Sequence, residues 1–74
     1  MKIVKELFAK INREDIDGNM QDLVSNELID SLDIMELITE IEKYFGKSLD
    51  AKFIESDNFE SFSAIDKMLK MAFK

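Results

Sequence analysis

Residues 28–46 read LIDSLDIMELITEIEKYFG, and the way this stretch folds decides the architecture of the chain. From Ser31 onward it is rich in helix formers. At about 100° per residue, Ile34, Leu37, Ile38, Ile41 and Phe45 gather on one side. Asp33, Glu36 and Glu40 gather on another, with Lys43 at the far end of that stripe. Leu32 and Met35 fall outside both sets, so partial exposure is expected for each. The spacing predicts a helix from Ser31 to Tyr44 or Phe45, stopping at Gly46, a C-terminal cap signal. Serine is a favoured helix cap, and Asp30 and Asp33 suit the positive end of the helix dipole. Ser31 is therefore a helix starter, a displayed residue, or both.

Upstream, Ile3, Val4, Leu7, Phe8 and Ile11 follow the spacing of one helical face. The segment from Asn12 to Asp30 breaks that pattern and is too long for a tight turn. Its apolar residues Ile16, Met20, Leu23, Val24, Leu28 and Ile29 predict a loop packed down onto the protein. Downstream of Gly46, a short helical turn is expected around Asp50 to Ile54. The Asp57-Asn58-Phe59-Glu60 segment has the shape of a capping box. Ser61 can then cap a last helix with Phe62, Ile65, Leu69, Ala72 and Phe73 on its apolar face. No strand pattern or internal repeat is visible. The expected fold is all-α: a small bundle of three main helices and a short fourth, with a long ordered loop after the first.

Composition narrows the chemistry. With 74 residues the expectation is one domain spanning 1–74, which buries only about 60% of its unfolded surface. There is no cysteine for a disulfide or thiolate site and no histidine to act as general base or metal ligand. The formal net charge is −6, so nucleic acid and anionic membranes would be repelled and a basic protein partner is the better fit. No apolar run approaches the length of a membrane span. MKIVKE at the start lacks the apolar core of a signal peptide. The expected location is the cytoplasm.

Three sharper chemistries fail on the residues. Asp15-Ile16-Asp17-Gly18 resembles part of a calcium loop, but with Gly18 at the sixth position Arg13 and Val24 stand where oxygen ligands belong. No metal site is expected. The carboxylates of the second helix lie on a solvated face, without the cleft that would push two pKa values apart. Ser31 has no histidine base and no glycine-rich elbow, so it is a poor nucleophile by its own means. No catalytic residue is assigned, and a non-enzyme is expected. Capping alone, however, does not explain why exposed apolar Leu32 and Met35 flank an acidic stripe beginning beside the serine.

Asp30-Ser31-Leu32 followed by Asp33-Ile34-Met35-Glu36-Leu37-Ile38 resembles the "DSL" signature of acyl carrier proteins. The resemblance runs over essentially the whole chain. Glu40 to Gly46 is similar to that family's acidic helix end, and Asp57 to Met71 to its last-helix region. It implies a 4′-phosphopantetheine arm, delivered from coenzyme A by a phosphopantetheinyl transferase and attached to Ser31 through a phosphodiester. Acyl cargo, as in fatty acid biosynthesis and other lipid metabolism, would ride on the arm as a thioester. The resemblance also implies that Asp30, Asp33, Glu36 and Glu40 form an acidic recognition face, with Leu32 and Met35 as apolar contacts, for basic patches on the transferase and on acyl-loading and acyl-processing enzymes. A monomer is expected. Ile29 departs from the small residue common before the motif, and the glycine pair typical of assembly-line peptidyl carriers is absent. "LIDS" and "NFESFSAI" also resemble D-alanyl carrier proteins, so an aminoacyl cargo stays open. From a different class, the alternative is a small acidic adaptor without a prosthetic group.

Overall fold

The structure is a computed structural model describing residues 2–73. Three α-helices form, α1 (Lys2–Lys10), α2 (Ser31–Phe45) and α3 (Phe62–Ala72), and the described residues contain no strand. The expected short fourth helix is instead a pair of 3-10 turns, Ala51–Phe53 and Ser56–Phe59. Asp50 starts the first of them by accepting the Lys52 N–H at 3.0 Å. The all-α bundle with a long ordered loop is what the spacing of apolar residues predicted.

Each helix buries the face that its sequence marks as apolar. Val4, Leu7, Phe8 and Ile11 of the first segment meet Leu37 and Ile41 of α2 and Phe62, Ile65, Met68 and Leu69 of α3 in one core. α1 packs on both of the other helices, and the Phe8 ring stacks on Phe62 with centroids 5.2 Å apart. Burying a side chain of this size contributes about 1.5–3 kcal/mol, so the interior rather than helix propensity holds so short a set of helices. Ile34, Ile38 and Phe45 pack at the margin of the core. Leu49, Phe59 and Met68 belong to the core as well, although the helical pattern did not single them out.

α2 ends as predicted. Gly46 adopts φ 67 and donates its N–H to the Glu42 carbonyl, the left-handed conformation glycine takes without steric cost. α1 has no glycine, and Asn12 takes the left-handed role instead, at φ 62. Ser61 caps α3 by accepting the Ala64 N–H at 3.1 Å.

The loop between α1 and α2 is pinned by Ile16, Leu23 and Ile29, all buried. Leu28 is the exception to the expected packing, since it is 40% exposed while its neighbour Ile29 is 1% exposed. Successive residues of an irregular segment point apart, and only one of the two can reach the core. Leu23 is the anchor: its carbonyl accepts the N–H groups of Leu28 and Ile29, and its own N–H goes to the Glu60 carbonyl.

Glu60 does not close the capping box expected from Asp57 to Glu60. The second 3-10 turn has no side-chain cap, and the Glu60 carboxylate reaches back across the chain. It accepts the N–H groups of Val24 at 2.8 Å and Ser25 at 3.0 Å, and the Ser25 hydroxyl. Local capping loses here to a loop that offers three donors to one acceptor pair. The Ser25 hydroxyl, then the backbone N–H groups, hold the Glu60 carboxyl below its ordinary pKa. A carboxyl lowered on folding adds stability above its unfolded pKa, and that stability is lost as pH falls through the folded value. Wild-type protein is therefore expected to lose more thermal stability than Glu60→Gln between neutral pH and pH values below the ordinary carboxylate range, read from melting curves. Equal acid sensitivity of the two proteins would count against the Glu60 tie.

Candidate functional site at the start of α2

The site is built on the first turn of α2. Asp30 lies just outside the helix in extended backbone, φ −118 and ψ −175. Its Oδ1 accepts the Asp33 N–H at 3.0 Å, while Asp33 Oδ2 accepts the Asp30 N–H at 3.1 Å. This reciprocal pair satisfies two of the donors that every helix start leaves open. The cap is thus Asp30, which corrects the reading of Ser31 as the residue that starts the helix. Ser31 is the first helical residue, exposed, and no hydrogen bond to another described residue engages its hydroxyl. The helix needs nothing from that side chain.

The surroundings of Ser31 are partly as expected. Leu32 is 63% exposed and Met35 65% exposed, and Glu36 is exposed as well. Thr39 completes this outward face, its hydroxyl donating to the Met35 carbonyl at 3.1 Å. The expected acidic stripe does not all face solvent. The Asp33 side chain retains only 16% exposure and accepts from Arg13 Nη1 at 2.7 Å. Glu40 is 20% exposed in its side chain and lies 3.5 Å from Lys43 Nζ. The correction has a simple cause: residues 33 and 40 lie toward the side of α2 where neighbouring chain covers them, whereas residue 36 sits farther round the wheel.

Arg13 is the functional candidate that sequence reading missed. It is the only arginine in the chain, but it stands 20 residues before its partner, and no local spacing relates the two. Its other contacts are a two-point pairing with Asp15, Nε to Oδ1 at 3.1 Å and Nη2 to Oδ2 at 3.2 Å, and a bond from Nη2 to the Leu28 carbonyl at 2.6 Å. The Asp15 hydrogen bond first, then the charges of Asp33 and Asp15 and the Asp33 hydrogen bond, outweigh the opposing effect of burial and raise the Arg13 pKa further, and the same pairing lowers that of Asp15. Asp17, the other carboxylate of the calcium-like segment, accepts the Asn19 N–H at 2.9 Å in a local turn. Both carboxylates of that segment thus serve the loop.

Chemically, the arrangement is suited to modification by another enzyme. Ser31 is exposed, and the carboxylate of the preceding residue, Asp30, is committed to the helix start. The N–H groups of Ser31 and Leu32 have no partner inside the helix. Together with the positive end of the dipole they favour a phosphate ester on the Ser31 oxygen. The residues present fit a phosphodiester-linked group.

The chain matches the family model of the phosphopantetheine attachment site over residues 2–65, which takes in α1, the long loop, α2, both 3-10 turns and the start of α3. No curated protein and no solved structure shows a significant match to it. With a displayed serine at the head of its central helix and the family pattern spanning most of its length, the chain belongs to the phosphopantetheine-attachment family, whose domains bear 4′-phosphopantetheine covalently.

Proposed function

We propose that the chain is a single carrier-protein domain in which Ser31 bears the 4′-phosphopantetheine and through which acyl intermediates pass between biosynthetic enzymes. The observation that carries this reading is the exposed Ser31 hydroxyl, first in α2 and left unused by a helix that Asp30 already caps. When attached, the arm supplies a thiol, which this cysteine-free chain lacks, for holding cargo as a thioester. The chain's own part is to present the serine oxygen, to favour its phosphodiester with the first-turn N–H groups, and to offer a face to the enzymes. The serine lacks a base within the domain, so activation falls to the phosphopantetheinyl transferase: the Ser31 oxygen attacks a coenzyme A phosphorus, loses its proton, and the nucleotide half of coenzyme A leaves. Carrier domains of this family are generally non-catalytic, and Ser31 as a substrate fits that role.

The test is intact mass after incubation with coenzyme A and a phosphopantetheinyl transferase, followed by peptide mapping. One added phosphopantetheine on Ser31 supports the reading. An added group on Ser25, Ser48, Ser56, Ser61 or Ser63 overturns the site. No modification by several transferases favours the adaptor without a prosthetic group.

A second reading, an aminoacyl cargo such as D-alanine, draws support from the interior. Phe8, Phe59 and Phe62 fill the core and are almost fully buried, which favours a short cargo over a long chain needing internal space. Loading assays with short acyl, long acyl and aminoacyl donors separate these.

Asp30, Leu32, Met35 and Glu36 form the proposed partner face, with Asp33 and Glu40 contributing charge from behind it. Exposed charges add little to folding but steer a basic partner. Glu36→Lys is expected to leave the melting temperature nearly unchanged and to slow arm transfer roughly 3- to 10-fold at low salt, with a smaller effect at high salt. Glu55→Lys, an equal charge change at another exposed site, is the control. If both variants slow transfer equally, only net charge matters and the face is abandoned.

A further inference from the structure

The guanidinium of Arg13 holds chain on both sides of Ser31. Nη2 bonds the Leu28 carbonyl at 2.6 Å, three residues before the serine, and Nη1 bonds Asp33 Oδ2 at 2.7 Å, two residues after it. The same Asp33 oxygen accepts the Asp30 N–H at 3.1 Å, so the residue immediately before Ser31 is held by the oxygen that Arg13 orients. Arg13 is itself fixed at both ends. Its own N–H donates to the Phe8 carbonyl at 2.9 Å, on a residue that is fully buried, and Asp15 grips the far side of the guanidinium. The loop turns through a left-handed residue, Glu27 at φ 57, just before the clamped segment. A non-glycine residue held there needs its neighbours fixed.

We propose that Arg13 is a positioning residue for the modification of Ser31, clamping Leu28, Asp30 and Asp33 so that the serine hydroxyl is presented in one fixed orientation. This rests on the reading that Ser31 is the modified residue. The transferase must bring an attacking oxygen and a phosphorus into line, and a misplacement of about 1 Å in such geometry can cost two orders of magnitude in rate. Recognition of the carrier, in contrast, rides on outward residues such as Leu32, Met35 and Glu36, which Arg13 does not touch. Losing the clamp should therefore affect turnover far more than docking. It also accounts for Asp33, whose carboxylate bonds Arg13 and the Asp30 N–H and lends the partner face only its charge. Lysine cannot replace the fork, because a single ammonium does not reach Asp33, Asp15 and the Leu28 carbonyl in one plane.

The experiment measures transfer kinetics with coenzyme A and a phosphopantetheinyl transferase for wild type, Arg13→Ala, Arg13→Lys and Asp15→Asn. Peptide mapping of the product and amide hydrogen exchange over residues 28–33 accompany the rates. Arg13→Ala is expected to lower kcat about tenfold with KM for the carrier within twofold, and to raise exchange at Asp30 and Asp33. Arg13→Lys recovers only part of kcat, and Asp15→Asn, which leaves the Asp33 and Leu28 bonds in place, stays within about threefold of wild type. Wild-type kcat in Arg13→Ala with mapping still on Ser31 overturns the proposal alone, and so does full recovery by lysine, which would leave only charge. Wild type modified at another serine overturns the reading of Ser31 and the proposal with it. Should Arg13→Ala fail to fold, Arg13→Lys and Asp15→Asn decide by the same measures.

Discussion

Ser31→Ala is expected to abolish the phosphopantetheine adduct completely while leaving the protein at wild-type stability. The first half holds if Ser31 is the acceptor, because alanine offers no oxygen to attack phosphorus, and the other serines lie elsewhere in the sequence. The second half rests on the helix start. The serine hydroxyl bonds no other described residue, and the two helix-start donors that are capped, the Asp30 and Asp33 N–H groups, are met by the carboxylates of Asp33 and Asp30. Alanine is the better helix former by roughly half a kcal/mol, so the change should fall within about 0.5 kcal/mol in either direction. Asp30→Ala, which removes the true cap, should cost more, roughly 0.5–2 kcal/mol. Intact mass and denaturant midpoints measured on the same preparations check both halves. A serine variant that lost more stability than the Asp30 variant would return the capping role to Ser31.

Phe8→Ala is expected to be the most damaging single change in the core, costing about 3–5 kcal/mol. Phe8 is 0% exposed, its ring stacks on Phe62, and its carbonyl accepts the N–H groups of Ile11 and Arg13. A domain of this length has a total stability of roughly 4–11 kcal/mol on a per-residue basis. Removing the ring thus takes a large share and lowers the melting temperature by some 15–30 °C. Because Phe8 anchors the backbone of Arg13, the loop before Ser31 should loosen as well. Thermal melts of Phe8→Ala beside Ile41→Ala, a smaller buried side chain on the facing helix, test the ranking. A loss below about 1 kcal/mol would show that the space refills and that the stack is not central.

What the sequence determined by itself was local. The spacing of Val4, Leu7 and Phe8, of Leu37 and Ile41, and of Ile65 and Leu69 set three helices and their inward faces, because a helix repeats every 3.6 residues whatever surrounds it. Gly46 and Ser61 marked helix ends for equally local reasons, one a backbone angle and the other a bond three residues away. Asp30, Ser31 and Leu32 with the acidic and apolar residues after them were enough to point at phosphopantetheine, since that signature is a short run of chain. Only the tertiary structure decided which residue caps α2, which of Leu28 and Ile29 turns inward, and which acidic residues of α2 stay exposed. Asp33 was drawn in by Arg13 from 20 positions earlier, and Glu60 was diverted from capping by Val24 and Ser25, 36 and 35 positions before it. For Glu60 a local bond lost to distant ones of similar strength, whereas Asp33 keeps its local bond to the Asp30 N–H and adds the distant one on the same oxygen. The outcome depended on where the packed core of Phe8, Leu23 and Phe59 set the loop down.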